Sequence, residues 1–222
     1  AASGDATRPD GRPPADAAPD VGRADAALDA TTPDATTPDA APDASTPDSP
    51  PDAAPPDPCL DVTRVQGFEI FRYEASRPDA TAESAGVDDV RACSTAGVLP
   101  WTGMTLADAR AACAASGFSL CSAEQWLRAC AGDPADDPRA FPYGFAHHPA
   151  VCNDHTTGVA LEPAGQREGC VTPEGVFDLS GNVWELVDES HRRGASWKAS
   201  ATAFRPEAAS CTSQFEVSDA FW

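Results

Sequence analysis

All eight cysteines of this chain lie at or beyond position 59: Cys59, Cys93, Cys113, Cys121, Cys130, Cys152, Cys170 and Cys211. None belongs to a Cys-x-x-Cys pair and none has zinc-ribbon spacing, so a thiolate zinc cluster is a poor reading. An even number at this density reads as a disulfide framework, which forms and persists in an oxidising compartment. Counting alone leaves the connectivity open.

The cysteine-free stretch before them has a different composition. Residues 1–58 hold 13 of the 22 prolines, 12 aspartates and 16 alanines, with no aromatic residue. Pro-Asp-Ala recurs at Pro33, Pro38, Pro42 and Pro51, and Val21 and Leu28 are the large aliphatics. Such a segment cannot bury enough apolar surface to offset its ordering entropy. It reads as a disordered acidic linker, its prolines favouring extended backbone and its carboxylates repelling one another. A flexible coil of this length spans roughly 40 Å, and a fully extended one about 180 Å. The competing reading is a degradable tail with no role. The proline period and charge run favour a spacer that holds a domain away from an anchor.

The 222 residues carry 15 Lys+Arg against 35 Asp+Glu, a formal charge of -20. Nucleic acid and anionic membrane surfaces would be repelled. No run of about 18 apolar residues occurs, so no transmembrane segment is expected. The chain starts at Ala1 without Met, and no signal peptide is visible in it. The expectation is an export signal already removed, with a lipid anchor just upstream of Ala1 and a place at the cell surface or in the periplasm.

Within residues 59–222, the alternation through Phe68, Ile70 and Arg72 predicts a strand over 67–76. Residues 105–116 predict a helix with Thr105 as N-cap and Gly117 at its end. Residues 122–131 predict a second, with Ser122 and Gln125 at capping-box spacing and Gly132 beyond it. Trp126 and Cys130 lie one turn apart and share a face. From 133 onward turns and short strands alternate with aromatic residues. The fold class read from this pattern is α+β: one compact, irregular, disulfide-stapled domain with little regular secondary structure.

Five segments occur in an order that carries more information than each alone. They are FEIFRYEAS (68–76), LADARAACAASGFSLCSAEQWLRACAGD (106–133), FPYG (141–144), GVFDLSGNVWELVDE (175–189) and RGASW (193–197). Together they resemble the formylglycine-generating enzyme family, also called sulfatase-modifying factor domains, over about residues 66–222. The resemblance implies an irregular α+β fold related to C-type lectin domains.

It also implies a structural calcium ion held by the side chains of Asp178 and Glu185 and the carbonyls of Gly181 and Val183. The chemistry suits a hard cation that takes six to eight oxygens. The competing reading has both carboxylates accepting hydrogen bonds from their own turn. Asn153 corresponds to a second, weaker calcium position. For the cysteines, the resemblance pairs Cys130 with Cys211 and sends Cys113 to a terminal Gly-Phe-Arg-Cys strand. This sequence stops at Trp222, where that strand is expected to begin. Either the sequence is truncated there or Cys113 and Cys121 lack partners. Cys152 with Cys170 and Cys59 with Cys93 are the remaining pairs.

The enzymes of the family oxidise a peptide cysteine with O₂ and copper, and soft copper(I) suits two thiolates. Counted from Ser196 and Trp197, the corresponding positions here are Ala199 and Phe204. Neither side chain has a metal donor, and Met104 reads as lying elsewhere, so no copper is expected. Ser196 matches an active-site serine but reads as a turn hydrogen bond. His147, His148 and His155 with Asp154 make a poor chelate, since adjacent residues of an extended segment point opposite ways. Asp188, Glu189 and His191 read as a solvated turn. No nucleophile elbow is present.

The leading functional expectation is therefore an exported, non-catalytic binding module. Its ligand groove lies near Ser196 and Trp197, and its partner is a peptide, a glycan or a surface protein. The alternative is a divergent formylglycine-generating oxidase acting on a peptide cysteine. A purely structural envelope component is the third.

Overall fold

A computed structural model describes residues 57–136, 138–198 and 209–216. The expected linker therefore lies outside the described residues, except for its last two positions. Asp57 belongs to the fold: its carboxylate pairs with Arg91 (Nη1–Oδ2 2.5 Å) and accepts the Cys59 amide at 2.9 Å.

The chain enters through a hairpin of β1 (Val62–Val65) and β2 (Phe68–Phe71), paired antiparallel from Val62↔Phe71 to Val65↔Phe68. Gln66 and Gly67 close it, both at positive φ (43° and 93°), as a turn matched to strand twist requires. The expected single strand over 67–76 is broken. A second short strand, β3 (Ala75–Ser76), pairs instead with β4 (Cys93–Ser94). The break spans residues 72–74, where the Tyr73 amide donates to Ser94 Oγ and Glu74 is 6% exposed. The pairing partner changes there from β1 to β4.

Two helices follow. In α1 (Leu106–Ala115), Thr105 is the N-cap and shares a capping box with Asp108; Ser116 ends the helix, with Gly117 at φ 81° one residue on. In α2 (Ala123–Ala131), Ser122 and Gln125 form the expected box and Gly132 is the C-cap. Glu189 adds a second acceptor at this end, taking the Ala123 amide at 2.7 Å. Trp126, Ala129 and Cys130 of α2 are buried against Val65, Ile70, Val176, Leu179 and Val187, which form the main core.

A three-stranded antiparallel sheet completes the domain: β5 (Glu185–Val187), β6 (His191–Arg193) and β7 (Gln214–Glu216). The residues read as a solvated turn are thus partly a strand pair. Val187 faces His191, and Asp188 Oδ1 accepts Arg110 Nε at 2.6 Å.

Three disulfides are present: Cys59–Cys93, Cys130–Cys211 and Cys152–Cys170. Cys130–Cys211 is the pair the resemblance implies, and the other two are the pairs that remained beside it. Cys113 and Cys121 are free. Among the described residues, two short helices, small separate sheets and three disulfides make a compact irregular α+β domain, and the disulfides suit a place outside the cytoplasm. No described helix is long and apolar enough to cross a membrane.

Candidate functional site: an acidic cluster beneath a tryptophan-lined cavity

The loop leading into β5 folds around a carboxylate from the other end of the chain. Glu74 Oε2 accepts Asn182 Nδ2 at 2.6 Å, and its Oε1 accepts the Val183 amide at 3.1 Å. Asn182 is satisfied on every side. Its Oδ1 accepts Asn153 Nδ2 (2.9 Å) and the Glu162 amide (3.0 Å), and its Nδ2 also donates to the Glu162 carbonyl (2.9 Å). Asp178 and Asn182 both adopt left-handed backbone, at φ 60° and 57°, a conformation short polar residues tolerate best. Gly181, at φ 136°, packs against the Asn153 backbone so closely that a Cβ would stand 2.8 Å from its carbonyl oxygen. This is why the loop needs glycine there.

Three acids share this interior. Asp178 is 3% exposed, and its Oδ2 accepts the Gly165 amide at 2.6 Å. Burial pushes its pKa from 3.8 up to about 6, the Gly165 hydrogen bond opposing. Glu74 is raised well above the usual carboxylate range by burial and then by the charge of Asp178, with Asn182 and Val183 opposing. Glu185 is raised in the same way, by burial and then by the charge of Glu74. Both Glu185 carboxylate oxygens are buried and accept no hydrogen bond. A buried carboxylate in that state is costly unless it is protonated or meets a cation.

Asp178 and Glu185 of the expected calcium set thus share an interior with Glu74, a third acid that lies within the strand expected over 67–76. Among the described residues, no three His, Cys, Asp or Glu side chains converge closely enough to chelate a metal unaided. A cation here would need further oxygens, a part that the expected set assigns to the carbonyls of Gly181 and Val183. The donor chemistry and the orphaned Glu185 carboxylate fit calcium. At the weaker position, Asn153 Oδ1 is also buried without a hydrogen bond. A Cβ on Gly158 would lie 2.6 Å from that oxygen and 2.7 Å from the Asp154 carbonyl, which accepts the Thr157 and Gly158 amides, so this turn needs glycine.

Over Glu74 and Glu185 opens a cavity of about 560 Å³, walled by Trp101, Met104, Leu120, Leu161, Trp184, Ser196 and Trp197. Arg77 covers Trp101 with its guanidinium 4.5 Å from the ring centroid, and Arg192 covers Trp184 at 4.8 Å. Ser196 Oγ accepts the Lys198 amide at 3.2 Å, the turn hydrogen bond its position suggested. The Trp197 amide donates to the Asn182 carbonyl at 3.2 Å, tying this turn to the acidic loop. Ala199 and Phe204 lie outside the described residues.

One expectation is overturned. Met104 does not lie elsewhere: the segment preceding α1 folds onto the wall that also carries Ser196 and Trp197, and Cys113 joins it. Sulfur is therefore present in the cavity, as one thioether and one thiol from different segments. Sequence spacing could not show this, because residues 104 and 197 meet only through the tertiary fold.

Of the histidines, His147 meets Asp154. His147 Nε2 contacts Asp154 Oδ2 at 2.6 Å, and the Oδ1 of Asp154 accepts the Thr156 amide and hydroxyl. That network anchors a loop with a buried carboxylate, whose pKa its hydrogen bonds lower against the opposing effect of burial.

No protein-family model matches this chain, and no curated protein matches it significantly.

Proposed function

We propose that residues 59–222 are a formylglycine-generating-enzyme-like domain of C-type-lectin-like fold, working outside the cytoplasm as a non-catalytic binding module. The observation that carries this reading is the tryptophan-walled cavity over a buried acidic loop. Its edge is formed by Ser196 and Trp197, the residues of the family's groove motif. A mostly apolar concave wall with a few convergent polar groups is the common form of a ligand site. The oxidase chemistry needs two thiolates, and the positions that resemble its copper ligands are Ala199 and Phe204. Those side chains do not fit copper. The Pro-Asp-Ala segment serves as the spacer to a lipid anchor, and the partner is a peptide, a glycan or a surface protein.

Calcium, bound by the Asp178 and Glu185 side chains and the Gly181 and Val183 carbonyls, would neutralise the buried charge and cross-link the loop. Calorimetric titration of metal-stripped protein is expected to show heat, and melting is expected to shift upward. Neither response would reject calcium without touching the binding reading.

Met104 and Cys113 on the cavity wall favour the second reading, a divergent oxidase using sulfur from other positions. Copper loading followed by mass spectrometry of a cysteine peptide of the sulfatase type separates the two. The cysteine is expected to remain unchanged; its conversion to formylglycine would return the protein to the enzymes.

A further inference from the structure

The tryptophan-walled cavity combines an apolar wall with buried acid. Met104, Leu120 and Leu161 stand beside its three tryptophans, yet Glu74 and Glu185 line it too. Glu74 is 6% exposed, and both Glu185 carboxylate oxygens are buried without a hydrogen-bond partner. Such carboxylates are tolerated when protonated or when a cation meets them. Asp178, whose charge acts on both, is the third acid of this interior. One divalent ion among three carboxylates would leave a negative charge over. A low-dielectric wall screens that charge little, so it acts across the cavity without direct contact.

The tryptophans favour the same sign. An indole face is negative, and a partly desolvated cation over it is held best. Arg77 and Arg192 already stand over Trp101 and Trp184, at 4.5 and 4.8 Å from the ring centroids. Trp197 is half-buried and has no such cover among the described residues. Of the chain's own cations, Arg77 is paired with Asp89 at 2.6 Å, and Lys198, which also lines the cavity, is exposed to water.

We propose that this cavity takes the side chain of a lysine on a partner polypeptide, its apolar stem along the tryptophan wall and its ammonium supplying the charge the acidic interior lacks. The proposal rests on the binding reading above and names the part of the partner that enters. Lysine suits the wall because a flexible four-carbon stem buries readily while its compact head keeps three donors. The formal charge of -20 on the chain draws a basic partner from a distance.

N-acetyl-lysine methylamide and N-acetyl-norleucine methylamide share the stem and differ in the ammonium. Each is titrated into the full chain in calcium-containing buffer and followed by ligand-observed NMR. The lysine analogue is expected to bind about tenfold more tightly than the norleucine analogue. Trp197→Leu keeps an apolar wall and removes the indole face. It is expected to weaken the lysine analogue about three- to tenfold and the norleucine analogue less. Lys198→Ala removes a like charge and is expected to strengthen lysine binding about twofold. A norleucine analogue that binds as tightly as the lysine one would overturn the proposal while leaving the cavity a ligand site. Silence from both analogues would overturn it and remove the cavity from the binding reading. Full lysine binding in Trp197→Leu would overturn it by placing the ammonium elsewhere. Loss of lysine binding in Lys198→Ala would overturn it by showing a preference for the opposite charge.

Discussion

At position 194 the chain leaves no room for a side chain. A Cβ there would stand 2.5 Å from Glu185 Oε2 and 2.9 Å from the Leu179 carbonyl oxygen, and the backbone sits at φ 73°. Gly194→Ala therefore forces both a left-handed alanine and a displaced Glu185 carboxylate. The expected cost is about 2–3 kcal/mol in a denaturant titration. If Glu185 holds calcium, the same variant also loses most of the calcium-induced rise in melting temperature. Unchanged stability would mean that the Glu185 carboxylate is not held against this turn. The acids themselves predict a pH dependence. Asp178 has its folded pKa raised from 3.8 to about 6, so the folded state holds a proton that the unfolded chain has lost. Stability of the metal-free protein thus falls as pH rises from about 4 through about 6, with Asp178 contributing about 2–3 kcal/mol. Glu74 and Glu185, raised in the same direction, extend the decline upward. The aspartates with lowered values, Asp57, Asp79, Asp108 and Asp154, give their stabilisation in full above about pH 5 and do not mask it. Thermal melts in chelator between pH 5 and 7 are expected to show the loss. Calcium, replacing the proton as the neutralising charge, is expected to restore more stability at pH 7 than at pH 5. A flat chelator profile would show that the acids are not buried as described.

The helices were readable because their ends are local chemistry. Thr105 and Ser122 each precede a run of helix formers, and Ser122 has its partner Gln125 three residues on. Each side chain satisfies an amide that the helix itself cannot. Ser122→Ala is expected to lower stability by about 1 kcal/mol with an unchanged denaturant slope. Part of the α2 cap survives in Glu189, which accepts the Ala123 amide from within the β5–β6 turn. Ser122→Ala combined with Glu189→Gln is therefore expected to cost more than the sum of the single changes, and an additive result would show that the two caps act independently. The strand over 67–76 was misread for the opposite reason. Its alternation is real, but Glu74 answers to Asn182, 108 residues away, and no local pattern announces that a carboxylate will turn inward to meet it. Asp178, Gly181, Val183 and Glu185, which the resemblance groups, lie close in the sequence and one continuous loop carries them. Trp101, Met104 and Cys113 join the cavity wall from a distant segment and were not legible.

At the scale of the whole molecule, the disulfides do what a small and divided core cannot. The main core is built around α2 and the β1–β2 hairpin, while Trp101 and Phe141 centre separate small clusters. Sheets of two and three short strands add little cooperative pairing between them. Cross-links across long loops restrict the unfolded chain most. Cys130–Cys211 spans 81 residues and joins α2 to the segment just before β7, with both sulfurs in the main core. Cys152–Cys170 spans 18, and it closes the loop from which Asn153 reaches Asn182 at the acidic site. The chain-entropy relation gives about 4–5 kcal/mol for the first and about 3 kcal/mol for the second. Replacing both cysteines of a pair with alanine is therefore expected to destabilise more for 130/211 than for 152/170, in chelator and at fixed pH. Adding calcium is expected to change that comparison. The 152/170 variant loosens the loop around Asn153, Asp154 and, through Asn182, the acidic cluster, so it is expected to lose calcium response as well as stability. The 130/211 variant is expected to lose stability while keeping a calcium-induced melting shift. The reverse assignment would show that the acidic loop takes its shape from the core rather than from the segment stapled behind it.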